Sequence, residues 1–250
     1  MTEVPLAGGN VAASVVRIGG TVRKPATPAT PAVHALLRHL DEVGFEGAPH
    51  AFGLDEQGRQ VLEYVPGQLA HALPPLDDSG LRRAGRLIRE FHDAAASFVP
   101  PPDAAWDVVI RPDSEDLVCH HDLAPWNLVR DGDRWVFIDW DGAGPGSRLW
   151  DLGYAAHGFV PLAPDGDPAA DSPRLRALAD GYGLDPDQRA CLPELIAAHV
   201  RGMHDLLVRG AATGVQPWAR LHAEGHASYW SRAAGYVEAN LDTWRSALGS

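Results

Sequence analysis

The segment CHHDLAPWNLVRDGDRWVFIDWDGAG, residues 119–144, constrains this chain more than any other stretch. Asp131-Gly132 is a strong hairpin signal between two apolar runs, residues 128–130 and 134–138. A hairpin there returns Asp139 to the side of residues 124–127, so a carboxylate and the Asn127 amide oxygen meet at one end of the ribbon. Asp122 lies in the loop just before it. Two carboxylates and an amide are hard oxygen donors, and such a set suits magnesium rather than a soft metal.

Upstream, residues 15–18 and 21–24 read as strands joined by Gly19-Gly20, a second two-residue turn. A proline-spaced segment follows, in which Thr30 suits a helix N-cap and Pro31 the first helical position. Val33, Leu36, Leu37 and Leu40 recur at i, i+3, i+4 and i+7, the mark of an amphipathic helix ending near Gly44. His34 reads as a solvent-facing residue of that helix. Residues 51–54 and 60–65 read as strands flanking the turn-rich segment 55–58. Pro66-Gly67 breaks the pattern, and helices dominate beyond it. A helix capped by Asp78 or Ser79 carries Leu81, Ala84, Leu87, Ile88, Phe91 and Ala95 on one face. A proline-rich loop follows over residues 99–112, and helices fill the chain from about Pro173 to its end. This reading divides the chain into a small, mostly β lobe over residues 1–65 and a larger, mainly helical one over residues 66–250.

Bulk properties narrow the function classes. With 45% hydrophobic and 22% charged residues in a chain of 250, there is apolar material for a sizeable core. A net charge of −12 argues against nucleic acid as the main partner, because phosphate backbones call for a basic surface. The two cysteines, Cys119 and Cys191, form no CxxC pair, which excludes a zinc ribbon or dithiol centre; Cys119 reads as a small buried residue. His120-His121-Asp122 offers no third residue at zinc-ligand spacing, and His199 and His204 lie five apart, off a common helical face. The first residues, MTEVPLAGGN, lack the basic and apolar regions of a secretory signal, and no run has the length of a membrane span. The expected location is cytoplasmic, with no membrane partner. There is no GxSxG elbow, and the glycine pair near the start precedes a hairpin rather than a helix, which argues against α/β-hydrolase and Rossmann dinucleotide-binding readings.

The string His120-His121-Asp122-Leu123-Ala124-Pro125-Trp126-Asn127, followed by Ile138-Asp139-Trp140 and then Asp151-Leu152, has the spacing of a kinase catalytic loop and its metal-binding aspartate. As a set, these motifs resemble the aminoglycoside-phosphotransferase (APH) or choline-kinase-like family, and the element order resembles it over nearly the whole chain. The resemblance implies an α+β, two-lobed protein-kinase-like fold, with a β-rich N-lobe and a helical C-lobe. It implies transfer of the γ-phosphoryl group of ATP or GTP to a small-molecule hydroxyl with Mg2+. Asp122 would be the catalytic base, Asn127 and Asp139 the metal ligands, and His120 and Asp151 supports of the loop. Gly8 and Gly9 would cover the phosphates, Lys24 would bind them, and the backbone of Glu63, Tyr64 and Val65 would meet the adenine edge. Trp126, Asp141 and Trp218 are candidates for the acceptor pocket; Asp141 or Glu194 would suit the ammonium groups of an aminoglycoside. Amino-alcohols, sugars and other antibiotics are alternative acceptors.

Two departures stand out. Kinases pair the lysine with a glutamate on the following helix, and here that flank offers His34 and Arg38, with Asp41 and Glu42 nearly two turns later. The glycine of the family's His-Gly-Asp is His121. The missing acid is the feature that would favour a catalytically impaired nucleotide- or ligand-binding module. A metal-dependent hydrolase with the same oxygen ligands is a further alternative.

Overall fold

The computed structural model describes residues 2–6 and 15–249. Gly8 and Gly9, the expected phosphate cover, lie outside the described residues. Five antiparallel strands form the first sheet: β1 (Val4–Pro5), β2 (Val16–Ile18), β3 (Thr21–Pro25), β4 (Ala51–Leu54) and β5 (Arg59–Glu63), in the order β1-β2-β3-β5-β4. The Gly19-Gly20 turn forms as read, with Ile18 opposite Thr21.

Helix α1 (Thr30–Glu42) packs against this sheet at β4. It begins one residue earlier than expected, with Ala29 at the N-cap; the Thr30 hydroxyl accepts from the Thr27 N–H at 2.8 Å instead of capping. Val33, Leu36, Leu37 and Leu40 are each at most 1% exposed. Each such burial is worth roughly 1.5–3 kcal/mol. These residues share one apolar core with Leu81, Ile88 and Phe91 of α2 (Asp78–Ala95), so α1 ties the sheet to the rest of the molecule. His34 is 3% exposed and faces inward, not to solvent as its sequence context implied.

The remainder contains two small sheets and the helices. Strands β6 (Gln68–Leu69), β8 (Leu128–Asp131) and β9 (Arg134–Phe137) form one sheet, and β7 (Leu117–Cys119) pairs with β10 (Gly144–Gly146) in the other. Asp131 pairs with Arg134, so the turn residues are Gly132-Asp133, one position later than read. Asp77, not Asp78 or Ser79, caps α2, accepting from Gly80 N at 2.8 Å. Then come α3 (Arg148–Phe159), α4 (Pro168–Tyr182), α5 (Pro186–Thr213), α6 (Trp218–Ala223), α7 (His226–Ala239) and α8 (Leu241–Gly249). The helical region thus starts well before Pro173, which lies inside α4. No helix of the described residues is long and apolar enough to cross a membrane.

Helices α2 and α4 touch backbone to backbone. A Cβ on Gly85 would run into the Leu178 carbonyl, and one on Gly181 into the Arg82 carbonyl. That close approach places Tyr182 of α4 beside His92 of α2, and through Asp151 this pair reaches the loop of His120 and His121.

Candidate active site

The β8–β9 hairpin assembles the site. The Ile138 N–H donates to the Asn127 carbonyl at 2.8 Å, so Asp139 emerges next to Asn127. Asn127, 5% exposed, donates through Nδ2 to the Asp122 carboxylate at 2.8 Å and to the Asp122 carbonyl at 2.9 Å. Those bonds leave its Oδ1 for another partner. Trp126 Nε1 donates to Asp122 Oδ1 at 3.3 Å, and the Tyr154 hydroxyl interacts with the same carboxylate. Burial pushes Asp122 up to about 7, although hydrogen bonds from Asn127 and Tyr154 pull the other way. A carboxyl titrating there is matched to accepting a proton near neutral pH.

The loop is held from behind. Asp151, fully buried on α3, accepts from the backbone N–H of His120 at 3.0 Å and of His121 at 2.9 Å. His92 Nε2 lies 3.1 Å from the same carboxylate, and its Nδ1 lies 2.8 Å from the Tyr182 hydroxyl. Burial alone would raise the Asp151 pKa, but the His92 hydrogen bond and the neighbouring histidines lower it to about 2. His120 Nδ1 accepts the Asp122 N–H at 3.2 Å, so Nε2 carries the proton and donates to the Ile138 carbonyl at 3.1 Å. One imidazole thereby joins the strand of Asp139 to the backbone of Asp122. His121 adopts φ 65°, a left-handed conformation that glycine takes more readily. Its ring compensates by approaching the Pro145 carbonyl at 3.0 Å and the Gly144 carbonyl at 3.2 Å.

Among the described residues, His92, Cys119 and Asp151 bring their ligand atoms within 4.8 Å of one another. Their contacts are structural: burial pushes the Cys119 thiol well up, and it donates to the Ser147 carbonyl at 3.3 Å.

On the sheet side, Lys24 Nζ sits 2.9 Å from Asp139 Oδ1 and 2.8 Å from Asp141 Oδ2. Burial would lower the lysine pKa, but the two carboxylates outweigh it and raise it. Lys24 in turn holds Asp139 below its ordinary value against the opposing effect of burial. Lys24, Asp139, Asn127 and Asp122 therefore converge, from chain positions as far apart as β3 and β9. The segment that follows β5 is half-buried at Tyr64 and buried at Val65. The Tyr64 N–H is used by the Gly20 carbonyl at 2.9 Å, and the Glu63 N–H by the His50 carbonyl at 2.8 Å, which leaves carbonyls rather than those two N–H groups for a ligand.

The acceptor candidates separate. Trp126 is 40% exposed beside Asp122. Trp218 packs with Ile110, Trp150 and Leu206 in a separate apolar cluster. Trp140, the tryptophan next to Asp139, is buried in the core and lines no open surface. Asp141 faces Lys24, and Glu194 is ion-paired with Arg245 on the surface. Four contributors escaped the sequence reading: Tyr154, His92, Gln60 and the buried face of His34. Tyr154 follows Asp151 by one helical turn, which was the available signal.

A curated relative, the trifolitoxin immunity protein of Rhizobium leguminosarum bv. trifolii, is 31% identical over 261 residues, covering 98% of this chain and 98% of that protein. The profile of the phosphotransferase enzyme family (APH) matches residues 103–193, which include the loop of residues 120–127 and the β8–β9 hairpin. The chain belongs to this phosphotransferase family. It is a small-molecule phosphotransferase that takes its phosphoryl group from a nucleoside triphosphate. Solved structures share the fold. A choline/ethanolamine kinase family protein from Mesorhizobium loti superposes with a TM-score of 0.66 at 16% identity, over 100% of this chain and 92% of that one. An amicoumacin kinase in complex with AMP-PNP and Ca2+ gives 0.68 at 14% identity, over 93% and 88%. The phosphotransferase fold is thus the two-lobed, protein-kinase-like one that the motifs implied.

Proposed function

We propose that Asp122 is the general base of this phosphotransferase, drawing the proton from an acceptor hydroxyl as it attacks the γ-phosphorus of ATP or GTP. The observation that carries this is the convergence of Asp122, Asn127, Asp139 and Lys24 on one end of the β8–β9 hairpin. The donor set fits Mg2+: the Asn127 Oδ1, left out of the Asp122 bonds, and the half-exposed Asp139 carboxylate are hard oxygens beside each other. When bound, the ion would neutralise charge on the phosphates. Lys24 would hold the phosphates from the sheet side, and Asp151 and His120 keep Asp122 in register. The chemistry asks for positioning and electrostatics rather than covalent catalysis.

The surroundings of Asp122 support an acceptor whose hydroxyl sits next to an apolar or aromatic surface. Trp126 and Tyr154 lie with ring centroids 6.2 Å apart, and Tyr154 stacks on His199 at 4.6 Å. The acids expected to receive an aminoglycoside, Asp141 and Glu194, are engaged by Lys24 and Arg245. The relative's name, an immunity protein against a toxin, supports a toxic compound as the molecule disarmed.

The test is acceptor-stimulated ADP release with Mg-ATP across a panel of hydroxylated antibiotics, both aromatic and polycationic. Asp122→Ala is expected to lower the stimulated rate by about 10²-fold or more, while Mg-ATP still raises the melting temperature. A variant turning over at the wild-type rate refutes the assignment of the base. Stimulation by aminoglycosides alone refutes the aromatic acceptor.

A further inference from the structure

We propose that Asp141, anchored by Gln60, positions Lys24 in place of the acid that α1 lacks; this rests on the phosphotransferase reading of Lys24 given above. The flank of α1 that faces the lysine presents His34, buried against the Gln60 side chain. Asp41 and Glu42 are exposed at the far end of the helix, and Asp41 lies 3.2 Å from His50 instead. Lys24 is nonetheless buried, its side chain 7% exposed, and a buried ammonium needs a carboxylate. It has two, Asp139 at 2.9 Å and Asp141 at 2.8 Å.

The two carboxylates are not equivalent. Asp139 is the one that the metal would claim, so its hold on Lys24 is temporary during a catalytic cycle. Asp141 is fixed from its other side. Gln60, fully buried and directly opposite Lys24 in the β3–β5 register, donates through Nε2 to Asp141 Oδ1 at 3.1 Å and to the Pro25 carbonyl at 3.0 Å. Asp141 thus gives one oxygen to Gln60 and the other to Lys24. The sheet carries the lysine and the amide, the short turn after Asp139 carries the acid, and the bond spans the two lobes. His34 fills the space of the missing acid, with both Lys24 and Asp141 within electrostatic reach of its ring.

The experiment uses the full chain and measures ATP affinity by titration calorimetry with Mg2+ and separately in EDTA, alongside kcat, KM and melting temperature. Asp141→Asn is expected to weaken ATP binding about tenfold or more in both conditions, the scale of one lost charge-assisted contact. The double variant Asp141→Asn/Lys24→Ala should bind no more weakly than Lys24→Ala alone. Adding His34→Glu to Asp141→Asn returns an acid to α1 and should recover at least threefold of the lost affinity; a merely structural acid would not be rescued this way. Affinity of Asp141→Asn within twofold of wild type, or absence of rescue, overturns the proposal. Should that variant fail to fold, Gln60→Met removes the anchor of Asp141 and should weaken ATP binding threefold or more, with unchanged affinity again overturning it. A wild-type chain that binds no ATP in either condition would instead sink the reading of Lys24 on which the proposal rests.

Discussion

Replacing Asp151 by Asn should destabilise the protein and slow it, without loosening its hold on the nucleotide. The Asp151 carboxylate is fully buried and receives three donors, the N–H groups of His120 and His121 and the His92 ring. Its pKa stands at about 2 against an ordinary 3.8. At about 1.36 kcal/mol per unit, the folded state favours the charged form by about 2.5 kcal/mol. Counting bonds gives a similar scale. Hydrogen bonds to a charged group are worth roughly 1.5–3 kcal/mol each, and an asparagine oxygen would keep part of them while its amide faces a donor. We expect a loss of about 2–4 kcal/mol at pH 7 by urea denaturation. The sign with pH follows from the lowered pKa: this stabilisation is complete above the unfolded value near 3.8 and is lost as the pH falls towards about 2. The gap between wild type and variant should therefore hold from pH 7 to 5 and narrow below 4. In turnover, an unsupported loop lets Asp122 drift, and a displacement of about 1 Å can cost on the order of 10²-fold. Affinity for ATP should stay within about twofold, because Lys24 and Asp139 do not touch Asp151. A loss below about 0.5 kcal/mol, or a gap that does not change with pH, would refute the role given to this carboxylate.

Two glycine-to-alanine changes should move stability in opposite directions. Gly235→Ala, exposed on α7 with nothing within 4 Å of the added Cβ, should gain about 0.5–1 kcal/mol, whereas Gly85→Ala drives a methyl into the Leu178 carbonyl and should lose about 1–3 kcal/mol; paired urea melts decide it. Buried histidines should make the protein acid-sensitive before its carboxylates do. Burial lowers His157 to about 4 and His199 to about 3, so the unfolded chain takes up protons that the folded one refuses as the pH falls below 6.5. Each is worth on the order of 3–5 kcal/mol over that window, and the double variant His157→Leu/His199→Leu should flatten the fall in melting temperature between pH 6.5 and 4.

What the sequence made legible was what a short hairpin could bring together. Asp122, Asn127 and Asp139 fall within 18 positions, and one turn of known length sets their register, even though the turn itself sits a residue later than its Asp-Gly signal. Asp151 was reachable through the family's spacing. Helix α3 was not legible, because its residues from Trp150 to His157 are all buried and such a helix has no polar face to give it a period. Its loss from the sequence reading hid Tyr154, whose hydroxyl meets the Asp122 carboxylate. The bond between Lys24 and Asp141 was hidden for a different reason. It joins positions 117 residues apart, and periodicity along one element says nothing about which element comes to face it. His34 shows the consequence. On a helical wheel it sits at the edge of the Val33–Leu37 stripe and reads as polar surface, but the turn that follows Asp139 and the β5 strand close over that edge and bury it. The apparent defect in the nucleotide site, a helix without its acid, is thus a defect only along the chain; in space a carboxylate from the opposite lobe stands where the lysine needs one.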